Sequence, residues 1–64
     1  MPYISIETFA GKTDAQKKHL IEEVTKAVTS SLQVPKEVVW VVVKDIPKTQ
    51  WGEGGKLCSE LYPG

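Results

Sequence analysis

The sequence is poor in the residues that usually stabilise a small fold by cross-linking. Its 64 residues include one cysteine, Cys58, and one histidine, His19. A single cysteine cannot form a disulfide within the chain, and one cysteine with one histidine cannot complete a zinc site of the common Cys/His type. A chain of this length buries only about 60% of the surface that its unfolded state exposes. Because its own core is marginal, we expect it to be stabilised by association with further copies.

Arginine is absent. All eight basic residues are lysines, and eight Asp and Glu residues balance them to a net charge of zero. Nucleic-acid-binding proteins usually carry a basic excess and use arginine for bidentate contacts. No apolar run reaches the roughly 20 residues that span a bilayer, and the N-terminus lacks the regions of a signal peptide. These absences argue against nucleic-acid and membrane partners. We expect a cytoplasmic protein, because a lone cysteine suits a reducing compartment.

The chain reads as one domain, residues 1–64, with the order strand, helix, strand. Residues 2–9 alternate between two faces as a strand does, and residues 14–32 carry an apolar stripe at helical spacing. Residues 38–43 form the strongest strand signal, which is apolar on both faces and is followed by charged residues expected to end it. A glycine-rich turn or hairpin follows at residues 51–55.

Two strands and one helix make a poor domain alone. A helix of about 19 residues is long enough to carry the chain back, so the two strands should be parallel. Two chains that pair would build a four-stranded sheet with two helices on one face, and the other face would still be apolar enough to pack again. The sequence therefore predicts an α/β (α+β) fold, a β-α-β unit that dimerises and forms a higher assembly.

Pro2 is the residue with the clearest chemical potential. Removal of Met1, which a small second residue usually permits, would leave proline at the N-terminus as a secondary amine. An α-amino group has an ordinary pKa of about 8, and an apolar pocket lowers the pKa because it disfavours the charged form. A neutral amine held rigidly in such a pocket can act as a general base near neutral pH.

The surrounding motifs give Pro2 a context. Met1-Pro2-Tyr3-Ile4 opens a strand, residues 11–17 (Gly-Lys-Thr-Asp-Ala-Gln-Lys) lead into the helix, and Trp-Gly-Glu-Gly-Gly follows at 51–55. In this combination, and over essentially its whole length, the chain resembles the 4-oxalocrotonate tautomerase family. The resemblance implies a β-α-β unit with a short C-terminal hairpin, a four-stranded sheet built by two chains, and commonly a hexamer made as a trimer of such dimers.

The resemblance also implies an activity. The family's tautomerases are isomerases that interconvert keto and enol groups, with the N-terminal proline, here Pro2, as general base. Their substrates are 2-hydroxydienoates and related 2-oxo acids such as 2-hydroxymuconate or the enol of phenylpyruvate. No metal or organic cofactor is implied, because proton transfer by an amine needs none.

Substrate-binding residues follow from the same resemblance. Two family arginines bind the substrate carboxylates and the developing enolate oxygen, and their places hold Lys12 and Trp40 here. Trp51 matches a pocket-wall phenylalanine, and Phe9 lies where the family often has leucine at the pocket rim. Lysine keeps the charge but loses the planar fork of arginine, and tryptophan loses the charge as well. We therefore expect a less cationic and more aromatic pocket, which favours a monocarboxylate enol.

Two alternatives remain open at this point. In the family's trans-3-chloroacrylic acid dehalogenase branch a glutamate activates water, and Glu53 stands at the matching place, although the paired arginines of that branch are missing. A hydratase or dehalogenase using Pro2 with Glu53 is one alternative. The other is a non-catalytic oligomeric binding protein, in which replacing Pro2 would change nothing.

Overall fold

Two seven-residue strands and one long helix make up the main unit of the fold. The computed structural model describes residues 1–64. In chain order, its helices and strands are β1 (Tyr3–Phe9), α1 (Asp14–Leu32), β2 (Trp40–Ile46), β3 (Gly52–Glu53), β4 (Lys56–Leu57) and α2 (Cys58–Leu61). The predicted β-α-β unit and the hairpin after it, formed by β3 and β4, are confirmed. The segment after the hairpin forms a short helix that the sequence did not predict.

The two long strands are parallel neighbours, as predicted. Their register pairs Tyr3 with Trp40 at one end and Phe9 with Ile46 at the other. The long helix covers one face of this pair, on which Ile4 and Ile6 are half-buried. The opposite face, which is called the outer face below, is exposed at its Tyr3–Trp40 end in a single chain.

The boundaries of α1 agree with the predicted helix over 14–32. Thr13 caps the helix: its Oγ1 accepts a hydrogen bond from the Gln16 N–H at 3.1 Å, and the Gln16 Oε1 accepts one from the Thr13 N–H at 2.9 Å. This reciprocal pair satisfies two donors that the first turn of a helix leaves free. The helix ends where Gln33 adopts the left-handed conformation, with φ of 55°.

The predicted limits of the second strand were wrong at both ends. The chain first makes a 3-10 turn over Lys36–Val38, so the strand begins only at Trp40. At the other end, the charged residues Lys44 and Asp45 continue the strand rather than end it. Asp45 accepts a hydrogen bond from the Lys17 Nζ of α1 at 2.8 Å, and Lys44 is in register with Glu7. The charge of Asp45 is tolerated because its partner, Lys17, lies on α1.

Little of a single chain is buried. Only Cys58, with 3% of its surface exposed, counts as buried, while Tyr3 and Trp40 are 62% and 55% exposed. Both aromatic residues lie at the same end of the sheet, on its outer face. A lone chain therefore leaves a large part of its apolar surface in water, and pairing of chains stays a prediction that this burial favours. Neither helix is both long and apolar enough to cross a bilayer.

Candidate active site

Pro2 stands directly before β1, where β2 also begins. Its carbonyl oxygen accepts a hydrogen bond from the backbone N–H of Trp40 at 3.0 Å. Pro2 is half-buried, whereas Met1 before it is 86% exposed. Of the predicted site residues, the structure thus brings Pro2 and Trp40 together at one end of the sheet. Met1 projects into solvent.

A second group of predicted residues lies at the other end of β1. The rings of Phe9 and Trp51 meet edge to face, with centroids 5.0 Å apart and an interplanar angle of 78°. The ring of Tyr62 lies 6.4 Å from Phe9 at a tilt of 40°. These three residues are called the aromatic cluster below. Such edge-to-face pairs are worth about 0.5–1.5 kcal/mol beyond the area that they bury.

Trp51 is held by its backbone and by ring packing. Its carbonyl oxygen accepts a hydrogen bond from the Cys58 N–H at 2.9 Å, which ties the cluster to α2. The indole Nε1–H is enclosed and has no hydrogen-bond partner in the chain. A buried donor without an acceptor costs about 1–3 kcal/mol. The packing of the Trp51 ring against Phe9 thus offsets the cost of this unpaired donor within the chain.

Lys12 lines a cavity of about 190 Å³ beside the start of α1. Gly11 directly precedes Lys12 and has a φ of 117°, a backbone conformation that favours glycine. Lys17 lines the same cavity but is occupied, because its Nζ lies 2.8 Å from Asp45 and 3.6 Å from Asp14. The hydrogen bond that Lys17 donates to Asp45 raises the pKa of Lys17. Lys12 makes no ion pair within the chain, so it is the cation of this cavity that is free to bind an anion.

The two groups of residues are far apart in one chain. Pro2 precedes β1 and Phe9 ends it, and β1 has seven residues. At about 3.3 Å per residue, this strand separates them by roughly 23 Å. A small substrate cannot span that distance, so one chain does not bring Pro2 together with Phe9, Lys12 and Trp51. A site that combines both ends needs residues from more than one chain.

Glu53 lies in the hairpin and has a partner of its own. Its Oε2 accepts a hydrogen bond from the Tyr62 hydroxyl at 2.7 Å. This bond, reinforced by the charge of the carboxylate, raises the pKa of Tyr62. The structure thus gives Glu53 a contact to another side chain, and its predicted activation of water stays a prediction.

Two residues near the candidate site were missed by the sequence reasoning. Tyr62 joins the aromatic cluster, and the Lys48 Nζ lies 5.4 Å from the centroid of the Phe9 ring, within cation–π range. Both follow or precede proline in segments without a repeating pattern, and no local signal in the sequence points to them. Histidine, cysteine and acidic side chains nowhere form a group of three that could hold a metal ion.

Comparison with known proteins agrees with this architecture. The family model described as "Tautomerase enzyme" matches residues 2–60. The chain is 39% identical to the 2-hydroxymuconate tautomerase of Pseudomonas putida over 95% of its own length and 97% of that protein. Among solved structures, it resembles a 4-oxalocrotonate tautomerase isozyme from Methylibium petroleiphilum with a TM-score of 0.90 and 39% identity, covering 95% of this chain and 98% of that one.

The assembly of a third relative is known. It is a heterohexamer 4-oxalocrotonate tautomerase from Chloroflexus aurantiacus, with a TM-score of 0.89 and 28% identity, covering 95% of this chain and 98% of that one. The fold is thus shared over nearly the full length of every chain compared. It is shared by a protein whose chains assemble as a hexamer.

Proposed function

This chain belongs to the tautomerase enzyme family and is an isomerase that interconverts keto and enol groups, and we propose that Pro2, freed by removal of Met1, is its general base. The observation that carries the proposal is the position of Pro2, which is half-buried and fixed through its carbonyl by Trp40 at an accessible end of the sheet. The nitrogen takes no part in that bond. A retained Met1 would make this nitrogen an amide without a basic lone pair.

The proposed reaction moves one proton and leaves the atom count unchanged. The lone pair of the Pro2 nitrogen accepts the proton of the enol hydroxyl, and a carbonyl forms as the conjugated electrons shift along the carbon skeleton of the substrate. The protonated amine then delivers that proton to carbon 3 or carbon 5 of the substrate, which completes a 1,3- or 1,5-transfer. Pro2 returns to its neutral form, so the cycle needs no cofactor.

The substrate we propose is the enol of a 2-oxo acid. Lys12 supplies a free cation for one carboxylate, and Phe9 and Trp51 offer an aromatic wall at the same end of the sheet. Trp40 places an indole rather than a positive charge beside Pro2. One cation and three aromatic rings suit an aryl monocarboxylate such as the enol of phenylpyruvate better than the dicarboxylate 2-hydroxymuconate.

The proposed active form is an oligomer of this single domain. Pro2 with Trp40 and Lys12 with Trp51 lie at opposite ends of the strand pair, so the site would form where ends of different chains meet. The exposed outer face supports the same proposal, because it carries apolar surface that a partner would cover. The heterohexameric relative supports an assembly of six chains, and following the family resemblance we propose six copies of this chain. The test is the mass in solution, which should be six times that of the processed chain, and the chain with Met1 has a mass of 7.1 kDa.

The function is tested by steady-state kinetics on the processed protein. We expect turnover of both the phenylpyruvate enol and 2-hydroxymuconate, with the higher kcat/KM for the aryl substrate. The Pro2→Ala variant exchanges a rigid secondary amine for a flexible primary amine, and general-base catalysis contributes about 10²–10⁴ in rate. A loss of that order supports the proposal. A preference for the dicarboxylate above about tenfold, the equivalent of 1.4 kcal/mol, would overturn the substrate assignment.

A further inference from the structure

The segment after α2 folds back onto the aromatic cluster. The Tyr62 ring approaches Phe9, and its hydroxyl reaches across to Glu53 in the hairpin at 2.7 Å. Its backbone N–H donates to the Cys58 carbonyl at 2.8 Å, which anchors the segment to the short helix. One residue thus contacts β1, the hairpin and α2.

Lys48 also contacts the segment after α2. Its Nζ donates to the main-chain oxygens of Tyr62 and Gly64 at 2.6 and 2.9 Å. The same ammonium group lies over the Phe9 ring. Phe9 is therefore bounded by Trp51 on its edge-to-face side, by the Tyr62 ring and by the Lys48 charge. The contacts that Lys48 and Glu53 make with Tyr62 keep this arrangement closed.

We propose that Tyr62 is a positioning residue, which holds Phe9 against Trp51 through its bonds to Glu53 and Lys48 and so makes the enzyme selective for flat aryl enol acids. This inference rests on the proposed function, in which Phe9 and Trp51 form a wall of the substrate pocket. Tyr62 itself touches the wall and not the reacting atoms. An aryl ring gains most from a wall that is already ordered, whereas a linear dicarboxylate depends on cations.

The expected kinetic signature is a change in KM. An ordered wall binds the substrate and the transition state about equally, so loosening it raises KM and leaves kcat unchanged. The opposite pattern marks a purely structural role, because partial unfolding lowers kcat through the active fraction and leaves KM unchanged. The two roles are therefore separable in one experiment.

The test is the Tyr62→Phe variant, which removes only the hydroxyl and keeps the ring. We expect its KM for the phenylpyruvate enol to rise about three- to tenfold, as the loss of one partly exposed hydrogen bond to a charged group would produce, with kcat within about twofold. The KM for 2-hydroxymuconate should change by less than about twofold. An unchanged KM for the aryl substrate, or an equal rise for both substrates, would overturn the proposal.

Tyr3→Phe is the matched control. It removes the same atom from a residue that is 62% exposed and makes no side-chain hydrogen bond within the chain. It should not alter the ratio of the two KM values. If it alters that ratio as much as Tyr62→Phe does, the selectivity does not come from the Tyr62–Glu53 bond and the proposal fails.

A double-mutant cycle with Glu53→Ala tests the bond itself. Tyr62→Phe and Glu53→Ala break the same contact, so the double variant should raise the aryl KM no further than the larger single effect. Effects that multiply would show that the two residues act independently and would overturn the proposal. If the processed wild-type protein turns over neither substrate, the proposed function has failed. If it does and the cycle shows no coupling, only the role of Tyr62 has failed.

Discussion

The backbone N–H of Trp40 donates a hydrogen bond of 3.0 Å to the carbonyl oxygen of Pro2. It extends the parallel ladder one step beyond the Tyr3–Trp40 pair, and so fixes a residue that would otherwise be free to move before the strand. Because the bond uses the carbonyl, removal of Met1 would leave the proline nitrogen free to act as the proposed base. Positioning by one backbone atom and chemistry by another is the arrangement that an N-terminal base requires.

Trp40 is uncharged, and its backbone contacts Pro2 at the start of β2. We predict that Trp40→Arg shifts the preference toward 2-hydroxymuconate by about tenfold in kcat/KM, because a guanidinium beside the base can bind the second carboxylate. The side chain is 55% exposed in one chain, so arginine fits without displacing a core. The measurement is the ratio of kcat/KM for the two substrates.

Trp40→Phe is the control for the loss of the indole. It removes the same large side chain but adds no charge, so it should not shift the preference toward the dicarboxylate. A similar shift in both variants would show that pocket size, and not charge, determines the preference.

Lys12 is predicted to bind the substrate carboxylate. Lys12→Ala should raise KM for both substrates about tenfold, since a hydrogen bond to a charged group is worth about 1.5–3 kcal/mol and part of that is lost to solvent here. Lys12→Arg should lower KM for the dicarboxylate a few-fold, because its fork binds a carboxylate with two bonds. Lys18→Ala, an exposed lysine of α1, removes the same charge and should change neither KM. If Lys18→Ala changes KM as much as Lys12→Ala does, Lys12 does not bind the carboxylate and contributes only to the net charge of the protein.

Tyr62 should titrate above the ordinary tyrosine value. Its hydrogen bond to the Glu53 carboxylate, with the charge of that group, raises the pKa of Tyr62 above 10.0. The neutral hydroxyl donates and the phenolate cannot, so the bond stabilises the fold fully below pH 10 and is lost as pH rises through the raised pKa. Alkaline absorbance titration should show this step at lower pH in Glu53→Gln. The step should be absent from Tyr62→Phe, which assigns it to Tyr62. If the step occurs at the same pH in Glu53→Gln as in the unchanged protein, the Tyr62–Glu53 hydrogen bond is contradicted.

Local signals in the sequence predicted the long helix to the residue. Thr13 and Gln16 define its first turn by side-chain chemistry within four positions, and Pro35 stops it from continuing. The parallel pairing followed from the length of the connecting helix. The family resemblance, carried by Pro2 and the glycine-rich turn, predicted the fold and the enzyme class.

Long-range contacts account for what was wrong or missed. Lys44 and Asp45 were expected to end the second strand, but Asp45 bonds to Lys17, 28 positions earlier. The Tyr62–Glu53 bond depends on how the hairpin folds back, and no periodic pattern predicts it. The sequence also did not predict that Pro2 and Trp51 lie far apart in one chain. The family resemblance identifies the residues of a site but not which chain supplies each of them.

The central claim is that the Pro2 nitrogen is the base. It is tested most directly by measuring kcat/KM for an enol substrate with two preparations of the same chain, one processed and one retaining Met1. Intact mass, which differs by one methionine, establishes the state of each. We predict that retention of Met1 lowers the rate by at least about 100-fold, because the amide nitrogen cannot accept a proton. Equal rates in the two preparations would contradict it.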